Sequence, residues 1–203
     1  QEETKFGFKR FLGPQQIPEH VYTDGSKEFE KACKDFGFLH DVSTPHVAQT
    51  NGYVERVNRR IIEGTSCILQ QSGLTTHWWD EAQDCFNFLW NCTEICKSGK
   101  TPYEQRFARK FSGPLMPFGC EVSFKPTYAK DEQPLHKFGA KMRKGVCIGY
   151  NQFAGGDWKL KELRIIDWED LENATHARDV NIRSIHADQV TVCKNDRISP
   201  TNI

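Results

Sequence analysis

The feature that most restricts the fold lies between residues 20 and 43. His20-Val21-Tyr22-Thr23 is a short run rich in β-formers. It stops at Asp24-Gly25-Ser26, a turn followed by a helix-start signal. From Lys27 to Phe36 the apolar residues Phe29, Ala32, Cys33 and Phe36 recur at helical spacing, which predicts an amphipathic helix. Gly37 is placed to terminate it as a C′ residue. Phe38-Leu39-His40-Asp41-Val42-Ser43 then reads as a second strand. Strand, helix and strand in this order are an α/β signature.

Polar residues Thr44 to Gly52 form a loop, and a long helix follows it. Val54, Val57, Ile61, Thr65 and Ile68 fall on one face of that helix, with steps of three and four. The spacing predicts that Asn51-Gly52 opens the helix and that Ser72-Gly73 closes it. Thr76 is expected to cap the next helix, which carries Trp78, Trp79, Ala82, Cys85, Phe86, Leu89 and Trp90. Thr101-Pro102-Tyr103-Glu104 combines a capping box with Pro at the first helical position, a strong helix start. The first twenty residues, with two glycines and two prolines, read as irregular.

After Gly113-Pro114 the texture changes. Short apolar runs alternate with Gly/Pro turns: Val122-Ser123-Phe124, Gly145-Val146-Cys147-Ile148-Gly149-Tyr150 and Leu163-Arg164-Ile165-Ile166. This predicts a small all-β unit over about 115–186. The expected domains are therefore 1–112, 113–188 and a polar tail at 189–203.

Net charge is zero, from 27 basic and 27 acidic residues, but the signs are segregated. Residues 97–145 hold eleven Lys/Arg against four Asp/Glu, and residues 157–179 hold seven acids against four bases. A basic block of this kind fits a polyanion-binding surface. A mean hydropathy of −0.65, with no long apolar run, predicts no membrane span. None of the eight cysteines forms a C-x-x-C pair, and Cys33, Cys67, Cys85 and Cys147 read as small buried hydrophobes in a reducing compartment.

Asp24 follows a strand at its carboxyl end, where α/β folds place ligands. Glu55 lies one turn into the long helix, beside the apolar face set by Val54 and Val57. Two carboxylates from a strand end and a helix face can make a hard-oxygen site for Mg²⁺ or Mn²⁺. Arg56, Arg59 and Arg60 follow Glu55 directly, and His46, Gln49, Thr50, Asn51 and Asn58 add hydrogen-bonding groups. Acids for metal beside bases for phosphate suit phosphodiester chemistry. By spacing alone, Asp24 as a helix cap and Glu55 as a surface acid are the ordinary alternatives. Lys141, Arg143 and Lys144 belong to the basic lead-in of the β unit and are placed to track phosphates.

These residues carry a resemblance. Tyr22-Thr23-Asp24-Gly25-Ser26-Lys27-Glu28-Phe29 is similar to the second-aspartate motif of retroviral-type integrases. Ser43 to Arg59 resembles their T-P-x-x-x-Q-x-N-G-x-x-E-R-x-N-R segment, in which the Glu completes the DDE triad. Gly99-Lys100-Thr101-Pro102-Tyr103-Glu104, Phe118-Gly119-Cys120 and Gly145 to Tyr150 resemble the downstream pieces of copia-type LTR retrotransposon Pol polyproteins. The resemblance spans about residues 20–185. It implies a partial RNase H-like integrase core of α/β class, followed by a small SH3-like β-barrel. It further implies 3′-end processing and strand transfer of element DNA at a two-ion Mg²⁺ site complete only in the full-length core. Asp24 and Glu55 would be catalytic metal ligands. His46, Gln49, Asn51, Arg56, Arg59, Arg60, Lys141, Arg143 and Lys144 would lie near DNA. The family's first Asp, on an upstream strand, has no counterpart here, and the Asp24–Glu55 interval is shorter than the family's. The expectation is thus an amino-terminally truncated fragment, inactive by itself. A non-catalytic DNA-binding or assembly remnant is the alternative. Homo-oligomers in the full-length form, and an intracellular setting in the nucleus or a cytoplasmic virus-like particle, follow from the same resemblance.

Overall fold

A computed structural model describes residues 2–14, 18–23, 25–44, 48–126 and 141–192, leaving aside the side chains of residues 48–51 and 178. The chain divides into two compact units, Gln1–Arg60 with Gln152–Asp157, and Ile61–Asn151 with Trp158–Ile203.

The first unit is built on the predicted α/β crossover. Strand β1 (His20–Thr23) and strand β2 (Leu39–Val42) pair in parallel, His20 opposite Leu39 and Thr23 opposite Val42. Helix α2 (Lys27–Phe36) joins them. A two-residue hairpin cannot link parallel strands, so the chain needs a crossover of this length. Gly37 ends α2 at φ 72°, and its N–H closes on the Lys34 carbonyl. A residue with a Cβ is strained in that conformation. Ala32 and Cys33 are the buried residues of α2.

The amino-terminal segment is ordered, contrary to the irregular reading. Helix α1 (Glu2–Leu12) has acids in its first turn and Lys9 and Arg10 in its last, both favourable to the helix dipole. Phe8 meets Phe29, Phe36 and Phe38 edge-on, and Lys5 pairs with Asp35 at 2.5 Å. Tertiary contact from a single aromatic residue outweighs the poor helix propensity of Gly7.

Helix α3 (Ala48–Ser72) begins ahead of the predicted Asn51-Gly52 start. The division between units falls inside it. Of the predicted face, Thr65 is buried, Val57, Ile61 and Ile68 are half-buried and Val54 is 42% exposed, while Leu69 and Ser72, outside that face, are buried.

In the second unit a 3₁₀ turn (Thr76–Trp78) leads into helix α4 (Trp79–Thr93), so Thr76 lies inside the turn and does not cap a helix. Helix α5 (Pro102–Phe107) starts as predicted, with the Glu104 N–H donating to Thr101 Oγ1 at 3.1 Å. Five strands follow: β3 (Cys120–Phe124), β4 (Arg143–Gln152), β5 (Trp158–Asp167), β6 (Ile182–His186) and β7 (Val190–Val192), in sheet order β6-β5-β4-β3-β7. The pairs β3–β4, β3–β7 and β5–β6 are antiparallel. Helix α6 (Trp168–Asn173) interrupts the predicted all-β stretch.

Two corrections follow. Val190–Val192 pairs with β3, Val122 opposite Val192, so the sheet extends into the stretch read as a polar tail. Within the second unit, the end of α3, α4 and α5 share one core with the sheet, with no division at residue 112. Leu69, Ala82, Cys85, Phe88 and Tyr103 belong to the same apolar cluster as Val122, Val146, Ile148 and Ile165. Gly145 to Tyr150 of β4 are all buried, the continuous apolar run of a strand covered on both faces. The Tyr150 ring stacks on Phe88 at 4.3 Å, and its hydroxyl donates to the Pro114 carbonyl and accepts from the Met116 N–H. Of the four cysteines read as buried, Cys67 is exposed and the other three are buried.

Candidate nucleic-acid interface

The site predicted from sequence centres on the carboxyl end of β1 and the first half of α3. Asp24 and His46 lie outside the described residues, as do the side chains of Gln49 and Asn51. The residues that are described sit on solvent. Glu55, Arg56, Arg59 and Arg60 are all exposed on α3. One charged stretch of helix thus carries an acid followed within five residues by three guanidinium groups. Exposed arginines of this kind can reach phosphate without a desolvation cost. Val54, beside Glu55 on the apolar face, is itself exposed.

Two polar pairs at the parallel strands escaped the sequence reading. His20 Nε2 lies 2.8 Å from Asp41 Oδ2, and His40 Nε2 lies 2.8 Å from Thr23 Oγ1. Each joins diagonal neighbours across β1 and β2, one pair on each face. The signal was present in the alternation of His20-Val21-Tyr22-Thr23 against Leu39-His40-Asp41-Val42. It becomes legible only once the parallel register is known. The second pair lies at the carboxyl end of β1. Among the described residues no group of three His, Cys, Asp or Glu side chains is arranged to hold a metal ion.

In the second unit the three predicted basic residues separate. Lys141 is exposed. The Lys144 ammonium is 72% exposed and lies 3.4 Å from Glu121. The Arg143 side chain is 13% exposed, with Nε donating to Asp167 at 2.5 Å and Nη2 to Glu169 at 2.8 Å. Asp167 is almost fully buried and also caps α6, accepting from the Glu169 N–H. A guanidinium bound to two carboxylates anchors α6 to the sheet. Arg183, 4% exposed and paired with Asp170, holds the same helix from β6. The acidic block read from sequence is therefore partly spent on internal ion pairs.

Arg164 and Glu81 form a further bidentate pair between β5 and α4. Burial pushes the Glu81 carboxyl above its usual range, against the pull of the Arg164 charge.

Over 66 residues, 32% of its length, the chain is 36% identical to the Retrovirus-related Pol polyprotein from transposon TNT 1-94 of Nicotiana tabacum. Part of this chain resembles a retrotransposon Pol polyprotein. The matched stretch is 5% of that relative's length, so the chain corresponds to a small piece of it. No family model matches. Among solved structures, the simian T-cell lymphotropic virus intasome in complex with the PP2A regulatory subunit B56 gamma aligns over 96% of this chain and 65% of that chain. The TM-score is 0.42 and the identity 17%.

Proposed function

We propose that this chain is the DNA-handling part of a retroelement integrase, with a partial RNase H-like core followed by an SH3-like β unit. The observation that carries the reading is the exposed Glu55-Arg56-Arg59-Arg60 set on α3, in a chain that resembles a Pol polyprotein over part of its length. The copia-type motifs over residues 99–104 and 145–150 support the finer assignment.

On this reading Asp24 and Glu55 take a divalent ion, Mg²⁺ or Mn²⁺. Their carboxylate oxygens suit such a hard cation, and Glu55 is open to solvent. The metal would supply Lewis-acid stabilisation of a phosphoryl transition state. The protein's own part is to hold the nucleic acid. Arg56, Arg59 and Arg60 of the first unit contact phosphates, Lys141 and Lys144 of the second are further phosphate contacts, and His46, Gln49 and Asn51 are assigned to DNA by the motif they belong to. No residue of this sequence is assigned as a third carboxylate. The chain as it stands therefore binds DNA and does not carry out strand transfer. Assembly into homo-oligomers, and residence in the nucleus or a virus-like particle, belong to the same reading.

The test is fluorescence anisotropy with a labelled DNA duplex across a salt series. The logarithm of affinity should fall linearly with that of salt, and the triple variant Arg56→Ala, Arg59→Ala, Arg60→Ala should flatten the slope by roughly 0.9 per lost phosphate contact. Glu55→Gln should leave metal-free binding equal or tighter, because it removes a negative charge, and should abolish any gain on adding Mg²⁺. An affinity insensitive to salt, or a triple variant that binds like the parent, overturns the reading.

A further inference from the structure

A second surface, on the opposite side of the charge balance, is built into the larger unit. A groove of about 800 Å³ runs between the start of α4 and the 3₁₀ turn at Ala177–Asp179. Its floor is apolar: Trp78 and Val180 are buried, and Ile182 is half-buried. On its lip Trp79 is 58% exposed, an unusual position for the largest apolar side chain. Two carboxylates from separate elements join it, Asp80 from the first turn of α4 and Asp179 from the 3₁₀ turn. Glu81 also lines the groove but is neutralised by Arg164. Asp80 and Asp179 have no ion-pair partner among the described side chains, which exclude that of the neighbouring Arg178. His77 and His176 complete the polar lining.

The chemistry selects the occupant. A nucleic acid stacking on Trp79 would bring its phosphates up to two carboxylates, which repel them. A lysine or arginine side chain satisfies every part of the groove together. Its cationic head is attracted by both acids and by the face of the indole, and its aliphatic stem covers the apolar floor. The volume is within the range of clefts that bury drug-sized ligands. We propose that this groove is a docking site for an extended, basic peptide segment of a partner protein, independent of any DNA-binding surface.

The probe is a fluorescein-labelled peptide of alternating arginine and glycine, titrated with the full chain at moderate salt. Saturable binding is expected, with no binding of the matched glutamate–glycine peptide. Trp79→Ala should weaken it about tenfold, and Asp179→Asn by a similar factor, while Trp79→Phe retains most of the affinity. Each position is exposed, and unchanged thermal melts will show that the variants fold. DNA affinity should be the same in all of them, so failure here and failure of the DNA reading are separable. Binding unaffected by Trp79→Ala and Asp179→Asn, or competition by spermidine at equal total charge as effective as by unlabelled peptide, overturns the proposal in favour of unspecific counterion attraction.

Discussion

Gly119 shows how much a single residue can be asked to do. It sits in the turn that feeds β3, where the Cys120 N–H bonds the Pro117 carbonyl and the Gly119 N–H bonds that of Cys147. Its φ is 77°, and a Cβ built on it would overlap Ser72 Cβ at the end of α3. Gly119→Ala thus combines backbone strain with a clash against a buried helix end. It should cost about 2–4 kcal/mol, where Gly37→Ala, at φ 72° with open space around it, should cost about 1 kcal/mol. Denaturant unfolding of the two variants separates strain from clash, and equal losses would contradict this account. Thr65 predicts the opposite sign. It is buried on α3, and its hydroxyl has no hydrogen-bond partner among the described residues. Thr65→Val preserves shape and β-branching while removing an unsatisfied polar atom. It should stabilise the protein by about 1 kcal/mol, read as an upward shift in melting temperature.

At the scale of elements, what was legible in the sequence followed from local rules. The βαβ crossover, the Gly37 terminator and the Thr101-Pro102-Glu104 helix start were readable because each rests on neighbours within a few residues. Helix α1 was hidden because its order comes from Phe8 meeting α2, a contact that no local pattern encodes. Strand β7 was hidden for the same reason: Val190-Thr191-Val192 is too short to announce itself and is fixed by its partner β3. In the candidate site, residue types on α3 were readable and their exposure was not, since the apolar periodicity does not tell the exposed Val54 from the half-buried Val57. The ion pairs of Arg143 were not legible because phosphate contact and ion pairing use the same residue type, and the buried Asp167 beside it comes from a distant part of the sequence. The Glu81–Arg164 pair gives an element-scale test of how α4 is held to β5. Its side chains are 15% and 22% exposed, so solvent weakens the attraction, and burial already disfavours the Glu81 charge. Removing one partner, as in Glu81→Ala, strands the other, and should cost roughly 2 kcal/mol. The double variant Glu81→Met, Arg164→Met should recover most of that, since apolar residues of similar volume can replace a desolvated pair. A double-mutant cycle with no coupling would show that the pair plays no part in holding the two elements together.

For the molecule as a whole, the shared core of helices and sheet sets the response to alkaline pH. Burial pushes the Cys85 thiol up from 9.0 to about 12, and raises the Tyr150 hydroxyl as well. Cys147 is raised too, first by donating to Cys120 and then by burial. All three lie in the same core cluster. Below about pH 9 each thiol is protonated in both the folded and the unfolded chain, so these groups leave stability at its plateau. Above it the unfolded chain releases protons that the folded core retains, and stability falls as pH climbs toward the folded-state values. Each thiol takes away about 1.4 kcal/mol per pH unit across its own window. Guanidinium unfolding midpoints measured from neutral pH into this alkaline range should therefore be level at first and then decline steeply. Cys85→Ala should lower the plateau, because it leaves a small cavity beside Gly149, yet decline less steeply, since one titrating group is gone. Cys67→Ala, at an exposed position, should leave the plateau unchanged. If Cys85→Ala keeps the parental slope, the core opens to water before its thiols ionise. The cluster joining α4 to β3 and β4 would then not unfold as one cooperative block.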